Sequence, residues 1–477
     1  MYVVRPQTPV SAAQKALAPL GRDELVQYFE RALRPGGRSI GTEQEKFGLV
    51  FDGDRLVPLN YHDHIAPIFK GLMDRFGWEI GEDRGTKGEV VMLSREGASI
   101  TLEPGGQLEL SGAPLPTVHH TCAEFTQHYN ELHAVSEPLG VAFIASGFHP
   151  FATRDEINWM PKGRYEVMRE YLPTKGDRAL DMMSRTCTVQ ANFDYSDEEE
   201  CGRRLRTALA ISPILTACFA NSPVLEGKIN GFASNRSDVW ESVDPDRCGI
   251  PRFVFDEPFS FERYIDYALD TPMFFIKRKV DGKYGYIAHH ETFRHFMEHG
   301  LEHAGTRHEA QWADWELHLS TLFPEVRIKP FIEIRGMDSV ASRFVCSLPA
   351  MVKGLLYDDA ACAEAFEIIG KLDYEARLDL WRRARKDALR DDEVHDKASR
   401  LLALSRASLE ARPELDQTGR TEARFLNNIQ ESLELRQTPG EIALAQAKAE
   451  FHGELDGRSD EGRIALVRAF HFAGMRP

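Results

Sequence analysis

Cysteine is scarce and unpatterned in this chain: seven among 477 residues, at positions 122, 187, 201, 218, 248, 346 and 362. None stands in CxxC spacing and the count is odd, which argues against a zinc ribbon or a disulfide framework. An excess of positive charge is also lacking. Lys and Arg number 58 against 74 Asp and Glu, a formal net charge of −16. Such a surface repels phosphate backbones and anionic lipid, so no nucleic-acid and no membrane partner is expected. The opening MYVVRPQTPVSAAQ lacks the charged-then-apolar order of a secretory peptide. Long apolar runs are missing too. The nearest, Thr207 to Leu225, is broken by Pro213, Asn221, Ser222 and Pro223 and predicts a buried helix followed by a turn. GxGxxG, GxxxxGK[ST] and GxSxG do not occur, which removes the standard Rossmann, P-loop and α/β-hydrolase sites. A soluble cytoplasmic protein is the expectation.

What the chain does have is enough apolar content, 42% hydrophobic against 28% charged, to bury a sizeable core. Helix is predicted over Ala12 to Leu33, near His64 to Phe76, over 117–139 and from Glu199 to Ala220. Strand is predicted over Ser39 to Phe51, Ala98 to Leu110, Val141 to Ser146, 185–195 and Val326 to Arg335. This irregular order, without steady βαβ alternation, indicates an α+β fold with a large antiparallel sheet. From about residue 358 to 477 the pattern is charged amphipathic helix, as in DDEVHDKASRLLALSRASLEA. The expectation is a single catalytic domain over 1–477, with a sheet-containing core over about 20–357 and a helical C-terminal part.

Side chains two apart on a strand share a face. In GTEQEKFGLVF, Glu43 and Glu45 therefore fall with Phe47, Leu49 and Phe51, the face expected to be covered. Burying two carboxylates demands cations or protons, whether in a salt-bridged sheet end or in a functional site. In TLEPGGQLELSGAP, Glu103, Gln107 and Glu109 surround a Pro-Gly-Gly bend that admits close backbone approach, or forms a bulge with a polar rim. In RTCTVQANFD, Thr188, Gln190, Asn192 and Asp194 form the polar side of a strand. In VRIKPFIEIRG, Lys329, Glu333 and Arg335 oppose Ile332 and Ile334. Clustered carboxylates without a Cys/His set suit Mg²⁺, with Mn²⁺ as the alternative, and Mg²⁺ held this way suggests substrate phosphates. Lys162, Arg164 and Arg169, with Tyr165, and Arg236 in a Gly/Asn/Ser-rich loop beside Trp240 could meet anions; for most arginines a surface ion pair is the simpler account. His295, His299 and His303 recur at helical spacing, but Gly300 weakens that helix and a solvated His-rich face is the better reading than zinc.

The strings IGTEQEKFG, LEPGGQLELSGAP, MPKGRYEVM, DMMSRTCTVQANFD, FANSPVLEGKINGFASNRSDVW and FPEVRIKPFIEIRGMDS resemble glutamate–cysteine ligase of the plant and proteobacterial branch. The resemblance runs from about residue 20 to 470 and implies a glutamine synthetase-like sheet with helices. It implies ligation of the glutamate γ-carboxylate to cysteine with ATP, through γ-glutamyl phosphate, as the first step of glutathione synthesis. Carried over residue by residue, it implies Mg²⁺ ligands at Glu43, Glu45, Glu103, Glu109 and Glu333. It gives catalytic roles to Glu45 and Arg335, the latter facing the phosphates. Substrate contacts fall to Arg164, Tyr165, Arg236 and Trp240, with nucleotide or substrate contacts at Gln190 and Asn192. It also implies a regulatory disulfide between Cys122 and Cys346, against two reduced thiols, and a homodimer by analogy. Two departures stand out: the plant hairpin cysteine pair is missing near Ala288, and Phe274 replaces a tyrosine expected near the cysteine subsite. The alternatives are a γ-glutamyl ligase with another amine acceptor, or serving another thiol pathway, and an inactive glutamate- or nucleotide-binding sensor.

Overall fold

Alternating side chains from Ile40 to Asp52 build β1 (Ile40–Asp52), the axis of the main sheet. The protein is seen here as a computed structural model, which describes residues 20–53, 55–256, 258–280, 283–450 and 455–472. The strands that join β1 are β2 (Arg55–Pro58), β3 (Glu79–Ile80), β4 (Met92–Arg95), β5 (Ala98–Leu102), β6 (Leu108–Ser111), β7 (Val141–Ile144), β8 (Thr188–Phe193), β9 (Val326–Ile328) and β10 (Ile332–Asp338). Their order is β9-β10-β8-β1-β6-β5-β4-β3, with β2 and β7 pairing with β1 off this path. All pairs in this sheet are antiparallel, as the α+β reading expects. β1 serves two neighbourhoods: its first half pairs with β8 and β6, its second with β7 and β2.

The helices that matter for the site are α1 (Val118–Ser136), α2 (Gly163–Tyr171), α3 (Ala179–Arg185), α4 (Glu198–Cys218), α5 (Asn235–Glu241), α6 (Ser347–Leu356) and α7 (Asp392–Ala411). α4 opens on Asp197, whose side chain accepts from the Glu200 N–H, with three glutamates in its first turn. Both features favour a helix start. It carries Pro213 inside and is buried along most of its length, so the apolar run beginning at Thr207 is core. No helix among the described residues is long and apolar enough to cross a membrane.

Several sequence expectations need correction. The helix expected from Ala12 is Arg22–Glu30 within the described residues, and 12–19 lie outside them. The single strands expected over 98–110 and 326–335 are each a hairpin. The first reverses at Pro104-Gly105-Gly106, the second at Lys329-Pro330-Phe331, where proline cannot donate to a ladder. On β1 the face assignment inverts in part. Thr42, Gln44 and Lys46 are fully buried, while Phe51 is 52% exposed. The reason lies behind the sheet: the Tyr129 hydroxyl of α1 donates to Gln44 Oε1, and the Lys46 ammonium lies over the Tyr129 ring. Likewise, the polar side of β8 is covered, with Thr188 and Gln190 both buried.

The helices beyond residue 358 form as expected and join the same packing. The Ser405 hydroxyl of α7 donates to Met351 O on α6 at 2.9 Å. Near the C-terminus, Ala145 N donates to Phe470 O, and Phe472 N donates to Phe143 O.

Candidate active site

Register decides which side chains share the working face. Glu45 on β1 stands opposite Glu109 on β6, and Glu43 stands opposite Gln190 on β8. Asn192 on β8 stands opposite Glu333 on β10, and Thr101 on β5 opposite Glu109. Directly opposed residues project to the same side. A polar band therefore crosses five strands, from Thr101 through the carboxylates and amides to Glu333. Hydrogen bonds pin it: Thr101 Oγ1 donates to Glu109 Oε2 (2.8 Å), Asn192 Nδ2 to Glu43 Oε1 (2.7 Å) and Thr188 N–H to Glu45 Oε2 (2.9 Å).

Glu103 follows β5 on the Pro-Gly-Gly turn. Gly106 takes φ +84°, and a Cβ on Gly105 would lie 2.3 Å from the Ser184 carbonyl, so glycine is required twice. The Gln107 amide is structural: it accepts from Gly105 N–H and donates to Met183 O and Thr186 O, tying the turn to the segment before β8.

The acids repel one another. Burial first, then Glu109 and Glu333, push Glu43 up to about 8. Burial, then Glu109 and Glu103, raise Glu45 well above the usual carboxylate value, and burial with Glu103 raises Glu109. A divalent cation would relieve all three. Glu333 behaves oppposite to them: burial disfavours its charge, but Arg327, Lys329 and Arg335 together hold it well below the usual range. It is fully buried, with Lys329 Nζ at 2.8 Å and Arg335 Nε at 3.3 Å.

Glu43 carries a consequence for stability. Folded Glu43 retains a proton that the unfolded chain releases above 4.5, so its contribution to stability is full below 4.5 and is lost as pH rises to about 8. Glu43→Gln should escape that loss. Thermal melts without divalent cations should show its midpoint gaining on the parent by about 2 °C or more between pH 5 and pH 9.

Glu45 and Glu103 open into a cleft of about 530 Å³ that also exposes Arg164, Arg236 and Arg335. Its walls include Tyr165, Trp240, Phe323, Met168, Met182 and Met183. α2 is tied to the sheet because the Tyr165 hydroxyl donates to Leu102 O at 2.6 Å, and Lys162 Nζ donates to the same carbonyl at 3.0 Å. α5 carries Arg236 and Trp240 four residues apart, on one helix face. The segment expected as a loop is thus partly helical. It starts at Ser234, whose hydroxyl also donates to Asp338 Oδ1 at the end of β10 (2.7 Å).

Arg335 projects where β10 shifts register against β8, between Ile334 and Met337. Its guanidinium lies beside the edge-to-face pair of Trp240 (5.4 Å) and Phe323 (5.2 Å), whose ring centroids are 5.7 Å apart. Burial, then Arg327 and Arg236, lower it to about 10, so it stays cationic at neutral pH. Arg236 gives Nη1 to Gly336 O and Nη2 to Arg335 O, each at 2.9 Å. Its Nε, the Arg164 Nε and the Trp240 Nε1 are buried without an acceptor. Each such donor costs about 1–3 kcal/mol unless a ligand satisfies it.

The structure thus gathers Glu45, Glu103, Arg164, Tyr165, Arg236, Trp240 and Arg335 in one cleft. Glu43, Glu109, Gln190, Asn192 and Glu333 lie along the band without lining it. Gln190 Oε1 and Asn192 Oδ1 are buried without a donor. The three methionines and Phe323 escaped sequence reading, because methionine beside an apolar strand ordinarily signals core. Phe274 is buried under the Arg247 guanidinium, 3.8 Å from its ring centroid, and is not among the cleft-lining residues. His303 is not on the helix of His295 and His299, which ends before Gly300; it sits on a strand. Cys122 on α1 and Cys346, which directly precedes α6, are free thiols that face each other behind the sheet.

A family model described as glutamate-cysteine ligase family 2 (GCS2) matches residues 39–462. The chain is 42% identical over 460 residues to a chloroplastic glutamate–cysteine ligase of Arabidopsis thaliana, covering 95% of this chain and 85% of that one. Against chloroplastic glutamate–cysteine ligase B of Oryza sativa subsp. japonica it is 42% identical over 455 residues, covering 94% and 88%. A crystal structure of glutamate–cysteine ligase from Francisella tularensis in complex with AMP has a TM-score of 0.53, covering 91% of this chain and 89% of that one. At 14% identity that is a likeness of fold. The plant relatives also overturn one expectation: they are chloroplastic proteins, so the cytoplasmic placement drawn from the sequence is withdrawn. With a match that spans the band and every residue of the cleft, the chain belongs to glutamate–cysteine ligase family 2.

Proposed function

We propose that the cleft joins the γ-carboxylate of L-glutamate to the amine of L-cysteine, converting ATP to ADP and phosphate and yielding γ-glutamylcysteine for glutathione synthesis. The observation that carries this reading is the meeting of Glu45 and Glu103 with Arg164, Arg236 and Arg335 in one cleft. A carboxylate is a poor acyl donor until it is phosphorylated. One γ-carboxylate oxygen attacks the terminal phosphorus of ATP, the bond to the ADP oxygen breaks, and an acyl phosphate forms. The cysteine amine then attacks the acyl carbon, phosphate leaves from the tetrahedral adduct, and the nitrogen loses a proton.

Phosphoryl transfer calls mainly for alignment and charge neutralisation. Arg335, held beside the Trp240 and Phe323 rings, meets the transferred phosphoryl group. Arg164 and Arg236 hold the amino-acid carboxylates, while Tyr165 and Trp240 shape that end, and Gln190 and Asn192 offer amide contacts. Glu43, Glu45, Glu103 and Glu109 are oxygen donors suited to Mg²⁺, which when bound would neutralise phosphate charge. Among the described residues no three His, Cys, Asp or Glu side chains form a ready metal cage. That fits a cation taking one or two carboxylates and completing its shell with phosphates and water. Glu333, already engaged by three cations, is better suited to anchoring Arg335 than to ligating metal.

The test is ADP release by purified protein with Mg²⁺-ATP and glutamate, with cysteine compared against a panel of small amines. Cysteine-dependent release with equimolar γ-glutamylcysteine is expected. Release with another amine alone would move the function to a sister ligase, and no release with any amine would leave a sensor.

The thiol pair supports a redox control of the same reaction. The neighbouring Cys346 thiol, with Arg424 nearby, lowers Cys122 and makes it the more acidic of the two. A disulfide would tie α1 to the segment that leads from β10 to α6. That segment is bound to β1, with Ser339 Oγ donating to Glu45 O and Gln44 Nε2 donating to Val340 O, both at 2.6 Å. Oxidant should change the parent's kcat in a dithiothreitol-reversible way. In Cys122→Ser that response should vanish, with reduced-state activity retained.

A further inference from the structure

Behind the cleft arginines lies a carboxylate to which the reaction above gives no task. Glu325, immediately before β9, is 5% exposed, and its Oε2 makes no hydrogen bond. Its backbone carbonyl accepts from the Arg335 N–H at 3.1 Å, and its N–H donates to Gly249 O at 2.8 Å, so its main chain is fixed from both sides. The side chain packs against the irregular stretch of β10. A Cβ on Gly336 would lie 1.8 Å from Glu325 Oε2, so the carboxylate occupies the space any larger residue would need. The same stretch is gripped by Arg236 through the carbonyls of Arg335 and Gly336, and by the Thr188 hydroxyl, which donates to Arg335 O and Met337 O.

The arginines around Glu325 are Arg236, Arg335 and Arg385, and the Asp338 carboxylate is also near. Two of these have another carboxylate at ion-pair distance: Arg335 has Glu333, and Arg385 has Glu241. Arg236 instead feels Glu45 in the cleft and, away from it, Glu325 and Asp338, of which Asp338 is already engaged by the Asn221 N–H and the Ser222 and Ser234 hydroxyls. A buried guanidinium moves toward the side with the stronger carboxylate pull. With Glu325 uncharged, only the hydrogen-bonded Asp338 would oppose Glu45, so Arg236 would shift toward Glu45 and each would mask the other from substrate.

We propose that Glu325 is a positioning residue for the ligase reaction, its carboxylate holding Arg236 and the Gly336 bulge so that Arg236 and Arg335 face the cleft. This rests on the assignment of Arg236 to the amino-acid site. The experiment is steady-state kinetics of Glu325→Gln with glutamate and ATP varied separately, alongside thermal melts. The glutamate KM should rise about tenfold with the ATP KM within about twofold of the parent. Glu325→Asp, which restores the charge, should recover part of the lost kcat/KM. A purely structural role would lower the melting midpoint or the active fraction and leave both KM values unmoved, and that result would overturn the proposal.

Gly336→Ala supplies a second reading if Glu325→Gln does not fold. By displacing the carboxylate it should raise the glutamate KM in the same way, and in a Glu325→Ala background it should add little. Parent-like kinetics in Gly336→Ala would also overturn the proposal. Arg236→Ala separates the two levels. If it raises the glutamate KM while the Glu325 and Gly336 variants do not, the inference about Glu325 fails alone. If Arg236→Ala is also silent, the amino-acid site itself is misassigned.

Discussion

Glu45→Gln should lower cysteine-dependent ADP release about 10²–10³-fold at saturating substrates. The substitution keeps the shape of the side chain and the hydrogen bond accepted from Thr188 N–H, so the change is one of charge. Glu45 is the point where the acidic band enters the cleft, beside Glu109 across the strand pair and within reach of the field of Arg236. On the proposed mechanism, losing its charge would remove a cation-binding oxygen at the place where triphosphate charge must be neutralised. It also removes repulsion inside a buried cluster, so the thermal midpoint should hold or rise even as turnover collapses. That opposite movement is the signature to look for. Turnover within about threefold of the parent would take Glu45 out of the machinery.

Arg335→Lys should be nearly as damaging, about 10²-fold in kcat, although it conserves charge. The native guanidinium lies beside the Trp240–Phe323 ring pair with Glu333 Oε2 3.3 Å from its Nε, and its planar fork fixes the directions of its donors. A lysine ammonium still donates but lacks that planar fork, and would be drawn toward Glu333. Positional isotope exchange in ATP with glutamate alone isolates the phosphoryl step. The exchange should fall in parallel with overall turnover. Normal exchange with slow turnover would place Arg335 in the amine step instead.

How much of this was legible beforehand depends on distance along the chain. That Glu43 and Glu45 share one face of their strand, and Gln190 and Asn192 one face of theirs, follows from a period of two and needs no fold. That Glu45 stands opposite Glu109, or Asn192 opposite Glu333, is a matter of register between distant segments, which no local pattern encodes. For the same reason, Lys46 and Gln44 could not be read as buried: the helix that covers them begins at Val118. The hairpins at Pro104 and Pro330 were hidden because the apolar alternation continues on both sides of each turn. Cys122 and Cys346 meet only through the packing of α1 against the segment after β10. Compartment is not written in composition at all, since net charge describes a surface and not a destination.

The strand order also sets when catalysis can begin. Roughly 280 residues separate the end of β1 from the start of β10, although only β8 lies between them in the sheet. At a synthesis rate of about 5–20 residues per second, that gap is roughly 15–60 s on the ribosome. By the later part of this interval Glu43, Glu45, Glu103 and Glu109 have been made, but Arg335 has not been translated and the β8 edge is unpaired. Non-local pairing of this kind folds slowly and leaves sticky edges open. Chaperone demand should therefore concentrate on chains stalled before residue 332, and a nascent ligase gains its cleft only after β10 has emerged.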